Sequence, residues 1–163
     1  MFIIGIDLGG TNIAVGLCDD SLKIIDKGSV PTLSKRSGEE IVADMANLTE
    51  KIIVRNRLTV NDIEYVGIAA PGTADSKTGI IGYANNLPFV NFPISDLFKK
   101  YLPVKRVIIE NDANAAAIGE MIYGVARGMK NFIVLTLGTG VGGGIVIDDK
   151  VYSGFNAAGG ELG

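Results

Sequence analysis

The segment Glu110-Asn111-Asp112-Ala113-Asn114-Ala115-Ala116-Ala117 sets a carboxylate at the head of an alanine-rich run, where it could accept a proton. Two glycine-rich turns flank it in the chain. The first, Asp7-Leu8-Gly9-Gly10-Thr11-Asn12, follows the apolar run Phe2-Ile3-Ile4-Gly5-Ile6. The second, Leu137-Gly138-Thr139-Gly140-Val141-Gly142-Gly143-Gly144, follows Phe132-Ile133-Val134-Leu135. Each continues into β-branched residues, Ile13-Ala14-Val15-Gly16-Leu17 and Ile145-Val146-Ile147, so strand, glycine turn and strand occur twice. Phosphate-cradling turns combined with a proton acceptor point to phosphoryl transfer.

A triphosphate needs several donors near its oxygens, and the backbone N–H groups of tight turns supply them. Glycine, lacking Cβ, permits both the turn and the close approach of the ligand. Thr11 and Thr139 add hydroxyl donors. Asp7 faces the same turn and could hold Mg²⁺ through water, because Mg²⁺ dehydrates reluctantly. Asp112 is the candidate general base: a sugar hydroxyl is a poor nucleophile until a carboxylate takes its proton. Asn and Asp also cap helices, a role compatible with the chemistry. Asn111 and the pair Asn85-Asn86 offer amides suited to sugar hydroxyls, although Asn-rich stretches also form plain turns. One glycine cluster alone would read as a structural hairpin. Two clusters, each with a threonine inside, together with an Asn-Asp helix start, read as a site.

The second turn also fits G-x-G-x-x-G through Gly138, Gly140 and Gly143, with Glu161 eighteen residues further on. A dinucleotide fingerprint requires a helix next. Here the chain continues Gly144-Ile145-Val146-Ile147-Asp148-Asp149, which is strand and turn, so that reading is rejected. No Walker A sequence is present.

The elements that must position these residues alternate along the chain. Strands are expected over residues 2–7, 13–18 and about 23–31, followed by a helix opened by Gly38-Glu39-Glu40. Its apolar residues Ile41, Val42, Met45, Leu48, Ile52 and Ile53 recur at helical spacing, and its first-turn acids suit the helix dipole. A buried strand at 65–70 ends at Pro71-Gly72. Residues 73–93 read as a long Gly-, Asn- and Pro-rich connection, of the kind that often carries function. A short helix over 94–101, a strand over 104–110 and a helix from Asp112 to about Tyr123 follow. The expected domains are a first lobe over 1–123, a hinge over 124–130, and the opening of a second lobe over 131–163.

The 163 residues can bury a real core. Hydrophobic residues at 47% and charged residues at 20% are ordinary for a globular domain, whereas 22 glycines are about twice the usual share and cluster at turns. Net charge is −3 and the basic residues are scattered, which excludes the basic stripe of a nucleic-acid binder. A single cysteine, Cys18, excludes an intrachain disulfide, and the chain has no histidine, so no zinc site is expected in it. Asp7 interrupts the first apolar run, so neither a signal peptide nor a membrane span is expected there. A cytoplasmic setting is expected.

At Asp7–Asn12, Ala70-Pro71-Gly72, Asn85-Asn86-Leu87, Glu110–Ala117, Leu137–Gly144 and Gly159-Gly160-Glu161-Leu162-Gly163 the chain resembles the ROK family of bacterial sugar kinases and repressors. Within that family it is most similar to the glucokinase-like enzymes. The segments occur in the family's order and spacing. The resemblance implies an α/β, actin-like ATPase fold of ribonuclease-H-like lobes, here a complete first lobe plus the opening strands of a second. It implies ATP and Mg²⁺ bound near Asp7, Gly9, Gly10, Thr11, Asn12, Thr139, Gly140 and Gly142. It further implies Asp112 as base, and a hexose contacted by Gly72, Asn85, Asn86, Asn111, Asp112 and Glu161. Many members carry a tryptophan where this chain has Val90, so packing on the sugar side is expected to differ. The family also continues beyond the equivalent of Gly163, into zinc ligands and an adenine pocket.

The expected function is therefore ATP-dependent phosphorylation of a hexose 6-hydroxyl, with glucose as the first candidate. Kinases for mannose, allose, fructose or an N-acetylhexosamine are the alternatives within the family. The sugar-responsive repressors carry a helix-turn-helix ahead of the first glycine turn, whereas this chain enters its first strand at Phe2. Little kinase activity is expected of these 163 residues by themselves. The strands after Asn131 would leave an apolar face and a free edge, so a homo-oligomer, in the first instance a dimer, is expected.

Overall fold

The computed structural model describes residues 1–137, 141–155 and 159–160, in two compact units, Met1–Glu110 and Asn111–Gly163. The first unit is built on a sheet of β1 (Phe2–Leu8), β2 (Asn12–Cys18), β3 (Ile24–Pro31), β4 (Ile63–Ala70) and β8 (Val107–Asn111), in the order β3-β2-β1-β4-β8. β1 alternates sharply: Ile4, Ile6 and Leu8 are buried while Gly5 and Asp7 are exposed. That period of two places Asp7 on the face opposite the buried side chains. β1 pairs antiparallel with β2, Leu8 opposite Ile13, and parallel with β4, Asp7 opposite Ala69.

Helix α1 (Gly38–Arg55) makes the crossover from β3 to β4. It starts at a capping box: the Ser37 hydroxyl accepts the Glu40 N–H, and the Glu40 carboxylate accepts the Ser37 N–H. Ile41, Val42, Met45, Ile52 and Ile53 are buried, as their spacing predicts. Its last turn is tied to β3, where the Asp26 carboxylate accepts from Arg55 Nε and Nη2 at 2.5 Å each and from the Asn56 amide at 2.5 Å. A short 3-10 turn, Val60–Asp62, leads into β4.

Residues 73–93 differ from the long connection the sequence suggests. They form a small antiparallel sheet of β5 (Thr73–Asp75), β6 (Ile80–Tyr83) and β7 (Val90–Phe92). Strands of three or four residues are too short to show a period in sequence. They hold because Ala74, Ile81 and Phe89 are buried and Phe89 stacks on Phe92, ring centroids 4.6 Å apart. Helix α2 (Ile94–Tyr101) buries Ile94 and Phe98 and leads to β8.

The second unit contains helix α3 (Asp112–Ile122) and an antiparallel sheet of β9 (Phe132–Leu137), β10 (Val141–Ile147) and β11 (Lys150–Val151). β9 and β10 pair from Leu137–Val141 to Phe132–Val146. The last three glycines of that segment, Gly142 to Gly144, already lie in strand β10, and strand rather than helix continues from them, as the rejection of a dinucleotide turn requires. Along β9, Ile133, Leu135 and Leu137 stand exposed, 60%, 59% and 82% accessible, so one sheet face carries a row of uncovered apolar side chains among the described residues. Among the described residues no helix is long and apolar enough to cross a membrane.

Candidate active site

In the first unit the glycine turn hangs between β1 and β2. Gly9 N–H donates to the Asn12 carbonyl at 3.0 Å, which closes the turn and leaves Thr11 and Asn12 exposed at its tip. Asp7 is exposed on β1, one residue before the strand's buried last residue, Leu8. Gly9 and Gly10 are only part-exposed, and a Cβ on Gly9 would approach the Asn12 carbonyl to 3.1 Å. A Cβ on Gly10 would stand 3.4 Å from Asn86 Cβ and 3.9 Å from its carbonyl oxygen. The expected phosphate turn and the expected sugar amides, 76 residues apart in sequence, therefore lie side by side.

Asn85 and Asn86 are exposed in a turn whose flanks are fixed from beneath. Ala84, Leu87 and Phe89 are buried on either side, and the Ala84 N–H donates to the Phe89 carbonyl at 3.2 Å. The turn is also set from behind by Gly72. With φ at +85° that residue occupies the left-handed region, and a Cβ there would fall 2.0 Å from the Tyr83 carbonyl oxygen. Gly72 thus has a packing role that places the strand leading into Asn85 and Asn86. The carry-over from the family suggested only a sugar contact for it.

In the second unit Asn111 and Asp112 divide two tasks between them. Asn111 is the N-cap of α3: its Oδ1 accepts from Ala113 N–H at 3.0 Å and from Asn114 N–H at 3.1 Å. Asp112 is the first helical residue and is exposed, with one carboxylate oxygen accepting from Ala113 N–H at 2.8 Å. Because the cap belongs to Asn111, the Asp112 carboxylate is not needed to start the helix. Its charge also sits at the positive end of the helix dipole, a placement that favours the helix.

Gly142 lies in β10, where a Cβ would meet the Thr136 hydroxyl at 2.5 Å and Ala113 Cβ at 3.2 Å. Gly144 is tighter, 2.5 Å from the Ala113 carbonyl and 2.6 Å from Ala117 Cβ. These glycines let α3 lie directly on β10, a requirement that sequence alone did not separate from phosphate binding. Thr139, Gly140 and Glu161 fall outside the described residues.

The sequence also passed over Thr32. Its side chain is fully buried, and its hydroxyl donates to the Gly9 carbonyl at 2.6 Å. A threonine immediately after Pro31, at the end of β3, was the only available signal. Away from the site, the hydrogen bonds from Arg55, then Asn56 and the Lys27 N–H, hold the Asp26 carboxyl down to about 2.

Among the described residues no cluster of three or more His, Cys, Asp or Glu could ligate a metal unaided. A site that holds Mg²⁺ through one carboxylate, waters and substrate phosphates needs no such cluster, and the exposed Asp7 beside the glycine turn fits that donor set.

The ROK family profile matches residues 3–163. The chain is 39% identical over 165 residues to a glucokinase of Thermotoga maritima, covering 99% of this chain and 49% of that protein. It is 35% identical over 159 residues to an N-acetylgalactosamine kinase of Shewanella sp., covering 98% and 49%. A ROK family glucokinase from Streptomyces griseus, solved in complex with glucose and AMPPNP, matches with a TM-score of 0.89 at 35% identity, covering 100% of this chain and 50% of that one. The chain spans about half the length of the curated relatives it matches. Its fold is that of the actin-like ATPases, shared with these glucokinases. With the profile running from residue 3 to residue 163, the chain belongs to the ROK family.

Proposed function

We propose that the protein carrying this chain transfers the γ-phosphoryl group of ATP to the 6-hydroxyl of a hexose, glucose in the first instance. The observation that carries this reading is the abutment of Gly10 and Asn86, one read as a phosphate-binding glycine and the other as a sugar-binding residue. Gly9, Gly10, Thr11 and Asn12 bind the phosphates, with Thr139, Gly140 and Gly142 as the second phosphate segment. Asp7 would hold Mg²⁺ through water, and a bound ion would supply neutralisation of phosphate charge. Asn85, Asn86, Asn111, Gly72 and Glu161 serve the sugar. Asp112 takes the proton of the 6-hydroxyl as its oxygen bonds to the γ-phosphorus, while the bond from that phosphorus to the bridging oxygen breaks and ADP leaves. A cytoplasmic location and a homodimer belong to the same proposal.

A second sugar is favoured by one observation. Val90 stands exposed across from Tyr83 on the β6–β7 pair, next to the Asn turn, at a position where many family members bear tryptophan. The glucokinase and N-acetylgalactosamine kinase relatives bracket the choice. A coupled ADP-release assay on the intact protein, run with MgATP against glucose, mannose, allose, fructose, N-acetylmannosamine and N-acetylgalactosamine, tests both readings. Fastest turnover with glucose is the expected result, and faster turnover of another sugar moves the assignment to it. Sugar binding without turnover of any hexose would replace the kinase by a sugar-responsive regulator.

A further inference from the structure

We propose that Thr32 is a positioning residue for the nucleotide turn, held in place from α1 by Arg36 and Asp44. The inference rests on the reading of that turn as a phosphate site. Thr32 is fully buried directly behind the turn and makes two bonds to it. Its N–H donates to the Thr11 carbonyl at 2.8 Å, and its hydroxyl donates to the Gly9 carbonyl at 2.6 Å. The first bond continues the β2–β3 ladder, and any residue other than proline would make it. The second needs a hydroxyl at this position.

That second bond has a directional consequence. In a planar trans peptide the C=O and the following N–H point in opposite directions. Fixing the Gly9 carbonyl on Thr32 therefore aims the Gly10 N–H away from Thr32, out of the protein interior behind the turn. Gly10 is also the glycine that abuts Asn86. The donor most central to the turn is thus oriented before any ligand arrives, which lowers the ordering cost of binding.

Thr32 is held in turn. Its carbonyl accepts from Arg36 Nε at 3.2 Å and Nη2 at 3.0 Å, and the same Nη2 donates to Asp44 Oδ2 at 2.5 Å. Arg36 precedes the Ser37 cap of α1 and Asp44 lies on the helix, so the clamp links the turn to an element with a large buried face. Arg36 and Asp44 side chains are 22% and 38% accessible, respectively. The clamp therefore runs from half-exposed charge to a buried hydroxyl and ends on the turn.

The test compares Thr32→Val, which keeps shape and removes the hydroxyl, with Thr32→Ser, which keeps the hydroxyl, in the intact protein. Arg36→Gln serves as a second variant that leaves the core untouched. Amide exchange on the ligand-free protein is expected to quicken at Gly9–Asn12 in Thr32→Val, more weakly in Arg36→Gln, and to stay near wild type in Thr32→Ser. KM for MgATP is expected to rise about ten-fold in Thr32→Val, equivalent to about 1.4 kcal/mol, with KM for the hexose unchanged and Thr32→Ser restored. Wild-type exchange at the turn in Thr32→Val, or an equal rise in both KM values, would overturn the proposal. Faster exchange at the turn in a protein that binds no MgATP would overturn the phosphate reading and keep the clamp.

Discussion

Replacing Gly144 by alanine should cost both stability and catalysis, because this glycine sets how close α3 comes to β10. The new methyl would lie 2.5 Å from the Ala113 carbonyl oxygen and 2.6 Å from Ala117 Cβ. An ordinary contact between carbon and a carbonyl oxygen is about 3.4 Å, so the helix or the strand must give by about 0.9 Å. Neither neighbour is the free end of a flexible side chain; one is backbone and the other a helix-bound methyl. Overpacking of this kind costs about 1–3 kcal/mol, or a melting temperature lower by about 4–8 °C for a loss near the middle of that range. The helix begins at Asp112, so the displacement reaches the proposed base, and a misplacement of about 1 Å can cost about 10²-fold in rate. Gly119→Ala in the same helix is the control. Nothing stands within 4 Å of its missing Cβ, and this variant should raise stability by about 0.5–1 kcal/mol. Thermal melts and kcat on both variants decide the matter. Wild-type melting and turnover in Gly144→Ala would refute the close-packing role assigned to the glycine.

Gly72→Ala should destabilise the first unit by about 2 kcal/mol or more, because a left-handed backbone with φ at +85° costs about 1–2 kcal/mol for alanine and the Tyr83 carbonyl blocks the methyl. Its kinetic signature should be a raised KM for the hexose, and an unaltered melt with normal hexose KM would count against the placement of the Asn turn by Gly72. The Asp26 carboxyl, drawn from 3.8 to about 2 chiefly by the Arg55 hydrogen bonds, contributes stability that is complete above 3.8 and is lost as pH falls toward about 2. Asp26→Asn should therefore flatten the dependence of the urea midpoint on pH across that window, and an unchanged slope would refute the link from β3 to the end of α1.

Most of the first sheet and the three α-helices among the described residues were legible from apolar patterning and helix-start signals. β1 follows an apolar run interrupted by Asp7, α1 shows helical spacing of its apolar residues behind Gly38-Glu39-Glu40, and α2 falls over 94–101 as expected. The β5–β6–β7 sheet was not legible, since three- and four-residue strands carry no period and draw stability from Phe89 and Phe92, which are apart from most of the pattern. Within the candidate site, residue type singled out Asp112, Asn111 and the first glycine turn as candidates. Sequence could not reveal that Asn111 takes the cap and relieves Asp112 of it, nor that Gly142 and Gly144 serve α3. Both facts depend on which atoms meet after folding. Thr32 was passed over for the same reason: its partner, Gly9, is 23 residues away and contributes only a carbonyl.

The central claim is that Asp112 removes the proton from a sugar hydroxyl during phosphoryl transfer from ATP. Asp112→Asn keeps the shape and the first turn of α3, whose cap is Asn111, while removing the basic oxygen. Turnover of MgATP and glucose by the intact protein, measured alongside calorimetric glucose binding, tests the claim most directly. A fall in kcat of about 10²–10⁴-fold with glucose affinity retained is the predicted result. A near-normal kcat in Asp112→Asn would contradict it.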